Sequence, residues 1–87
     1  MSLAARAIKL GASELVPSWR QGKKFAVLYK GKWIHFGAAN MLDYTQHKDK
    51  ARRDRYRKRH SQIFLRDGRP AYTVKESPAF WSYHLLW

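Results

Sequence analysis

The sequence predicts a small α+β domain: a β-hairpin or three-stranded antiparallel sheet, one basic helix packed on it, and a short aromatic C-terminal helix. Three observations predict it. The chain has 87 residues, 45% hydrophobic and 15% aromatic, the length of one modest domain and too apolar for a disordered segment. Residues 23–36, KKFAVLYKGKWIHF, alternate with the period of a strand on both sides of Lys30-Gly31. From Asp49 to Ile63 the spacing changes to that of a helix, with Tyr56, His60 and Ile63 at i, i+4, i+7.

The elements follow in order. Residues 3–10, LAARAIKL, suit a short helix with Leu3, Ala7 and Leu10 near one face and Gly11 as a stop. This low-charge helix is expected in an N-terminal arm, residues 1–21, laid on a neighbouring molecule, with residues 22–87 as the single α+β domain. Arg6 and Lys9 interrupt the apolar start, which is wrong for a secretory signal; a basic, acid-poor start leaves a mitochondrial presequence as a minor alternative. Residues 13–22, SELVPSWRQG, read as irregular because Pro17 and Gly22 punctuate them.

The hairpin comes next. Lys30-Gly31 stands where a tight turn belongs, although Asn-Gly would suit it better. Trp33 and Tyr29 are assigned to one face, against Ile34, Phe36 and Leu28 on the other, so both faces are expected to be covered. Residues 37–40 turn the chain, and 43–47 form a loop or a first helical turn. Asp49 is a good N-cap for the basic helix, since its carboxylate can accept unpaired N–H groups. Tyr56, His60 and Ile63 make a narrow apolar stripe that Arg52 or Arg53 continues, leaving Arg55, Arg57, Lys58 and Arg59 on the other faces. Asp67-Gly68 is a turn, and Ala71 to Lys75 a candidate third strand. Ser77-Pro78 opens the last helix, with Ser as cap and Pro in the first turn. Phe80, Trp81, Leu85 and Trp87 follow and must plug a core or an interface.

Charge is the dominant compositional fact. The chain carries 18 Lys and Arg against 6 Asp and Glu, a formal net charge of +12. Within residues 47–60, Lys48, Lys50, Arg52, Arg53, Arg55, Arg57, Lys58 and Arg59 are offset only by Asp49 and Asp54. Such an excess destabilises the isolated compact state and favours anionic partners. The basic helix therefore lies along phosphates, with Tyr56 available to stack, or presses on an acidic protein surface through bidentate Arg–carboxylate contacts. A merely solvated face is the third reading. Trp33, Phe36, Phe80 and Trp81 are read as core. Trp19 beside Arg20, and Trp87, are read as anchors against a partner, because Trp and Arg are favoured at interfaces.

Catalysis finds little support. Cysteine is absent, which excludes disulfides, thiolate zinc sites and cysteine nucleophiles. No apolar run approaches the roughly 20 residues of a membrane span. There is no Gly-rich phosphate loop. Asp43 and His47 at i, i+4, with His60, could form a small metal-dependent nuclease site. The simpler reading joins Asp43, Tyr44, His47, Asp49 and His60 in one hydrogen-bonded structural cluster that holds the helix on the hairpin. No cofactor and no metal are expected.

The motif string Lys23-Lys24-Phe25, His35-Phe36-Gly37, Asp43-Tyr44-Thr45 with His47-Lys48-Asp49, Arg53 and Tyr56 with Arg59-His60, and Phe80-Trp81-Ser82 with Leu85-Leu86-Trp87 resembles a family of small basic, functionally uncharacterised proteins of nucleocytoplasmic large DNA viruses. The resemblance spans residues 22–87, with an altered connection at 62–75. It implies a viral source and no reaction. The expected function is then a non-enzymatic virion structural protein of the minor-capsid or cement kind, part of a larger assembly, docked on major capsid or other shell proteins. A nucleic-acid-binding protein that packages or condenses viral DNA is the alternative. Either would reside in the virion, and in host cytoplasm or nucleus during assembly.

Overall fold

A computed structural model describes residues 2–87. Helix α1 (Leu3–Lys9) is followed by strands β1 (Glu14–Pro17), β2 (Lys23–Tyr29) and β3 (Lys32–Ala38). Helices α2 (Tyr44–His47) and α3 (Lys50–His60) come next, then a 3-10 turn at Ala71–Thr73, and α4 (Pro78–Trp81), which runs on into a π-helical segment at Ser82–Leu86. The strands form one antiparallel sheet in the order β1-β2-β3. The α+β expectation holds, and the sheet has three strands.

The hairpin forms where alternation places it. Lys30 and Gly31 have φ of 50° and 77°, so both central turn residues are left-handed, as a two-residue type I′ turn requires. Tyr29 pairs with Lys32, Val27 with Ile34 and Phe25 with Phe36. Directly paired residues share a face of the sheet. Tyr29 therefore stands with Ile34 and Phe36, and Trp33 with its partner Leu28. This corrects the expected division, which paired Trp33 with Tyr29.

The third strand is not residues 71–75, of which Ala71–Thr73 form a 3-10 turn instead. It is β1, in the segment read as irregular. Leu15 pairs with Val27 and Pro17 with Phe25. Pro17 is tolerated because β1 is an edge and Pro closes it. Val27 is fully buried with Leu15 packed beside it, so burial outweighs the weak local signal of a four-residue strand.

One face of the sheet carries the core. Val27, Ile34 and Phe36 meet Ala7 and Ala12 from the N-terminal segment and Phe80, Trp81, Leu85 and Leu86 from the C-terminal one. Residues 2–21 are thus not laid out as an arm: Ala7 is wholly buried in the common core, and Leu3 and Leu10 pack against it. Met1 lies outside the described residues. The C-terminal helix plugs the core as expected. Ser77 caps it by accepting from the Ala79 N–H, Pro78 occupies its first turn, and the Trp81 indole N–H donates to the Lys75 carbonyl at 2.7 Å. Gly37 has φ of 82°, and a Cβ there would lie 2.8 Å from Leu86 Cδ1. Glycine lets the end of β3 close over the C-terminal segment. The other face is covered more thinly: His35 shares a 2.8 Å hydrogen bond with Ser18, and Trp19 packs edge-on against His35 and Trp33.

Candidate polyanion interface

Two N-caps in succession set the basic helix. Asp43 caps α2 by accepting the Thr45 N–H, and Gln46 reaches back to the Asp43 N–H in a capping box. Lys48, left-handed at φ 58°, ends α2. Asp49 then caps α3 as expected, accepting from the Ala51 and Arg52 N–H groups. The helix stops at His60, three residues short of the expected end, with Ser61 as its C-cap. Ile63 falls beyond it and is exposed.

The inner face of α3 is aromatic. Tyr56 stacks on His60, with centroids 4.2 Å apart, and on Trp87, 4.1 Å apart and 9° from parallel. The Tyr56 hydroxyl shares a 2.9 Å hydrogen bond with Ser82. Burial holds the Tyr56 hydroxyl above its usual phenolic range, and the Ser82 contact only partly offsets this. Burial, then the neighbouring Arg59 charge, holds His60 below the ordinary histidine value. His47 lies against Trp87 at 5.3 Å. Trp87, expected to bury itself in a partner, is spent inside the molecule as the plate that joins the C-terminal segment to α3.

Two of the arginines are turned inward as well. Arg57, assigned to an outer face, donates from Nε and a terminal nitrogen to the main-chain oxygen of Trp87 at 3.2 and 2.8 Å, and its guanidinium lies 5.2 Å from the Tyr83 ring. Arg53 stacks over Tyr44 at 4.7 Å. Arg52 is half-buried. What remains on the outer face is Lys50, Arg55, Lys58 and Arg59, all exposed, with Lys48 exposed just ahead of them. Asp54 is the acid on that face, 3.6 Å from Arg53. Among the described residues no ion pair involves Lys48, Lys50, Arg55, Lys58 or Arg59. The cations at the C-terminal end of α3 gain from the helix dipole, which offsets part of their mutual repulsion.

The expected five-residue polar cluster separates into three parts. Asp43 is buried with Lys24, whose ammonium lies 2.6 Å from its carboxylate and 2.7 Å from Gln46, and Asp43 also accepts from the Thr45 hydroxyl. His47 Nδ1 accepts the Asp49 N–H at 2.8 Å, and Tyr44 lies beside His47. His60 belongs to the aromatic stack, and its Nδ1 has no hydrogen-bond partner among the described residues. Asp43, His47 and His60 do not converge on one point; among the described residues no group of three or more histidine or acidic side chains could hold a metal ion. The residue that sequence reasoning missed is Lys24. The sequence holds little signal for it: Lys24 follows Lys23 at the start of β2, and only the buried Asp43, 19 positions away, distinguishes the two lysines.

A second surface lies at the turn end of the hairpin. Trp19 is 64% exposed and stands edge-on to Trp33, itself 38% exposed, with centroids 5.0 Å apart. Beside them a cavity of about 450 Å³ is lined by Arg20, Lys30, Lys32, Trp33, His35 and Glu76, among others. Trp19 and Arg20, read from the sequence as anchors against a partner, are both exposed there.

Residues 13–60 match the model of a family of unknown function, DUF5754. The chain belongs to this family. The matched segment starts one residue before β1 and ends on the last residue of α3, so it holds the whole sheet and the whole basic helix. Helix α1 and the C-terminal helix, which complete the family segment's core here, lie outside it. Neither a curated protein nor a solved structure matches the chain. Among the described residues no helix is long and apolar enough to cross a membrane.

Proposed function

We propose that the protein is a non-enzymatic module that lays the outer face of α3 along the phosphate backbone of a nucleic acid. The observation that carries this reading is the row Lys50, Arg55, Lys58 and Arg59, exposed and outside every ion pair found among the described residues. Such cations neutralise phosphates and release counterions without reading bases. Two features that favour docking on a shell protein, the N-terminal helix and Trp87, are both consumed by the molecule's own core. Asp43, the best acid for a nuclease, is committed to Lys24 and Thr45. The resemblance of the motifs to proteins of large DNA viruses would make the nucleic acid a viral genome and the setting a virion.

A second reading, a cement-type protein docked on larger shell proteins, is favoured by the exposed Trp19–Trp33 pair. One experiment separates the two. Binding to a mixed-sequence DNA duplex is followed by fluorescence anisotropy between about 50 and 200 mM salt. The backbone reading expects affinity to fall steeply, and the variant Arg55→Gln/Lys58→Gln/Arg59→Gln to flatten the log–log slope by about 2–3. Trp19→Ala should leave the slope unchanged. A slope indifferent to the three helix substitutions sinks the backbone reading.

A further inference from the structure

Beneath the inner edge of α3 lies a cavity of about 200 Å³ with four cations in its wall: Arg6 from α1, Lys48 from the end of α2, and Arg53 and Arg57 from α3. Among the described residues no acidic side chain lines it. Leu85 and Leu86 supply its apolar part. The cations come from segments up to 51 positions apart in the sequence, so no local charge run accounts for their meeting.

Three of the four are held in place. Arg6 donates to the His84 carbonyl at 2.8 Å, and Arg57 to the Trp87 main-chain oxygen at 2.8 Å. Arg53 lies over the Tyr44 ring at 4.7 Å, and Lys48 lies 5.9 Å from the same ring. Among the described residues the buried Nε of Arg53 has no hydrogen-bond partner, since the Asp54 carboxylate stands 3.6 Å away and beyond reach. Each guanidinium has five N–H donors, more than these contacts use. A site that gathers like charges, orients them and leaves donors unused is costly when empty and favourable when an oxyanion enters. The volume is below the range of drug-sized pockets and suits one compact anion with a short attachment.

We propose that this cavity is a site for a phosphate dianion, distinct from the outer face of α3. Its occupant carries the dianionic, three-oxygen phosphate chemistry that a fork of arginines recognises. Two sources offer that chemistry: the terminal phosphate of a nucleic-acid strand, or free inorganic phosphate.

The test uses the full chain at constant ionic strength. Thermal shift and calorimetric titration compare inorganic phosphate with chloride, and a 5′-phosphorylated with a 5′-hydroxyl single strand of the same sequence. The expected result is saturable stabilisation by phosphate, weakened about tenfold by Arg6→Gln or Lys48→Gln, the scale of one lost charge-assisted hydrogen bond. Both residues are exposed, so the fold should survive; circular dichroism and the ligand-free Tm check this. The variant Arg55→Gln/Lys58→Gln/Arg59→Gln should keep the phosphate response. A preference for the phosphorylated strand that Arg6→Gln abolishes assigns the strand terminus as the source; phosphate binding without that preference assigns the free ion. No difference between phosphate and chloride overturns the proposal. So does a response that survives Arg6→Gln and Lys48→Gln but disappears in the outer-face variant, an outcome that would leave the backbone reading standing.

Discussion

Lys24 and Asp43 show how much one buried contact can carry. Their side chains are 11% and 5% exposed, and the same carboxylate caps α2. Removing one partner of a buried pair strands the other charge, which costs far more than the pair contributes net. Asp43→Ala is expected to lower stability by about 3 kcal/mol in urea denaturation. Adding Lys24→Met should return most of this, leaving about 1 kcal/mol for the lost cap. If the second substitution returns nothing, the ion pair is not the source of the loss. Histidines set a second residue-scale expectation. Burial holds both His60 and His84 below 6.5, more than the Tyr72 carbonyl raises the latter. The folded chain then binds fewer protons than the unfolded chain as pH falls through 6.5 and below, so stability is complete above that value and declines beneath it. A Tm that falls between about pH 7.5 and 5 is the predicted course. His60→Phe, which keeps the stack on Tyr56, should make the fall shallower.

At the scale of elements, local chemistry was legible wherever it was strong. Asp49 and Ser77 cap the helices they were expected to cap, and alternation located β2 and β3. The turn between those strands is a place where the local residues oppose the structure they adopt, as Lys48 at the end of α2 is another. Lys30 sits at φ 50°, a conformation that costs a side-chain-bearing residue and that asparagine tolerates better. Lys30→Asn should therefore stabilise the protein by about 0.5–1 kcal/mol, read as a shift of the urea midpoint at constant m. A loss of stability would mean that Lys30, 5.4 Å above the Tyr29 ring, contributes more there than its backbone strain costs. Strand β1 and the 3-10 turn at 71–73 escaped the sequence because four residues with a proline, and a short β-branched run, carry too little local preference to outweigh packing.

For the whole molecule, the two ends of the chain are parts of one core. Ala7 and Ala12 close the sheet face from one terminus, and Phe80, Trp81, Leu85 and Leu86 from the other. A domain of this size has few apolar contacts to spare. A chain beginning at Ser13 should lose cooperative unfolding, and circular dichroism melts of the shortened and full chains test it. A sharp, unaltered transition would mean that the N-terminal segment is the arm its sequence pattern predicts. The same closure explains why half of the candidate site was unreadable. The cations of α3 were visible as a charge run, yet which of them face outward depends on Trp87, Tyr83 and Tyr44 arriving from elsewhere.

What the amino-acid order determined, then, was whatever depends on neighbours within a turn or two: the hairpin, the caps, the basic helix and its overall charge, since periodicity and capping act over a few residues. The tertiary structure alone decided that Arg53 and Arg57 turn inward, that Trp87 becomes an internal plate, and that Arg6 meets Lys48 around a cavity. Apart from Arg53 on Tyr44, nine positions away, those outcomes rest on contacts between residues 26 to 78 positions apart, and no local preference encodes such a distance.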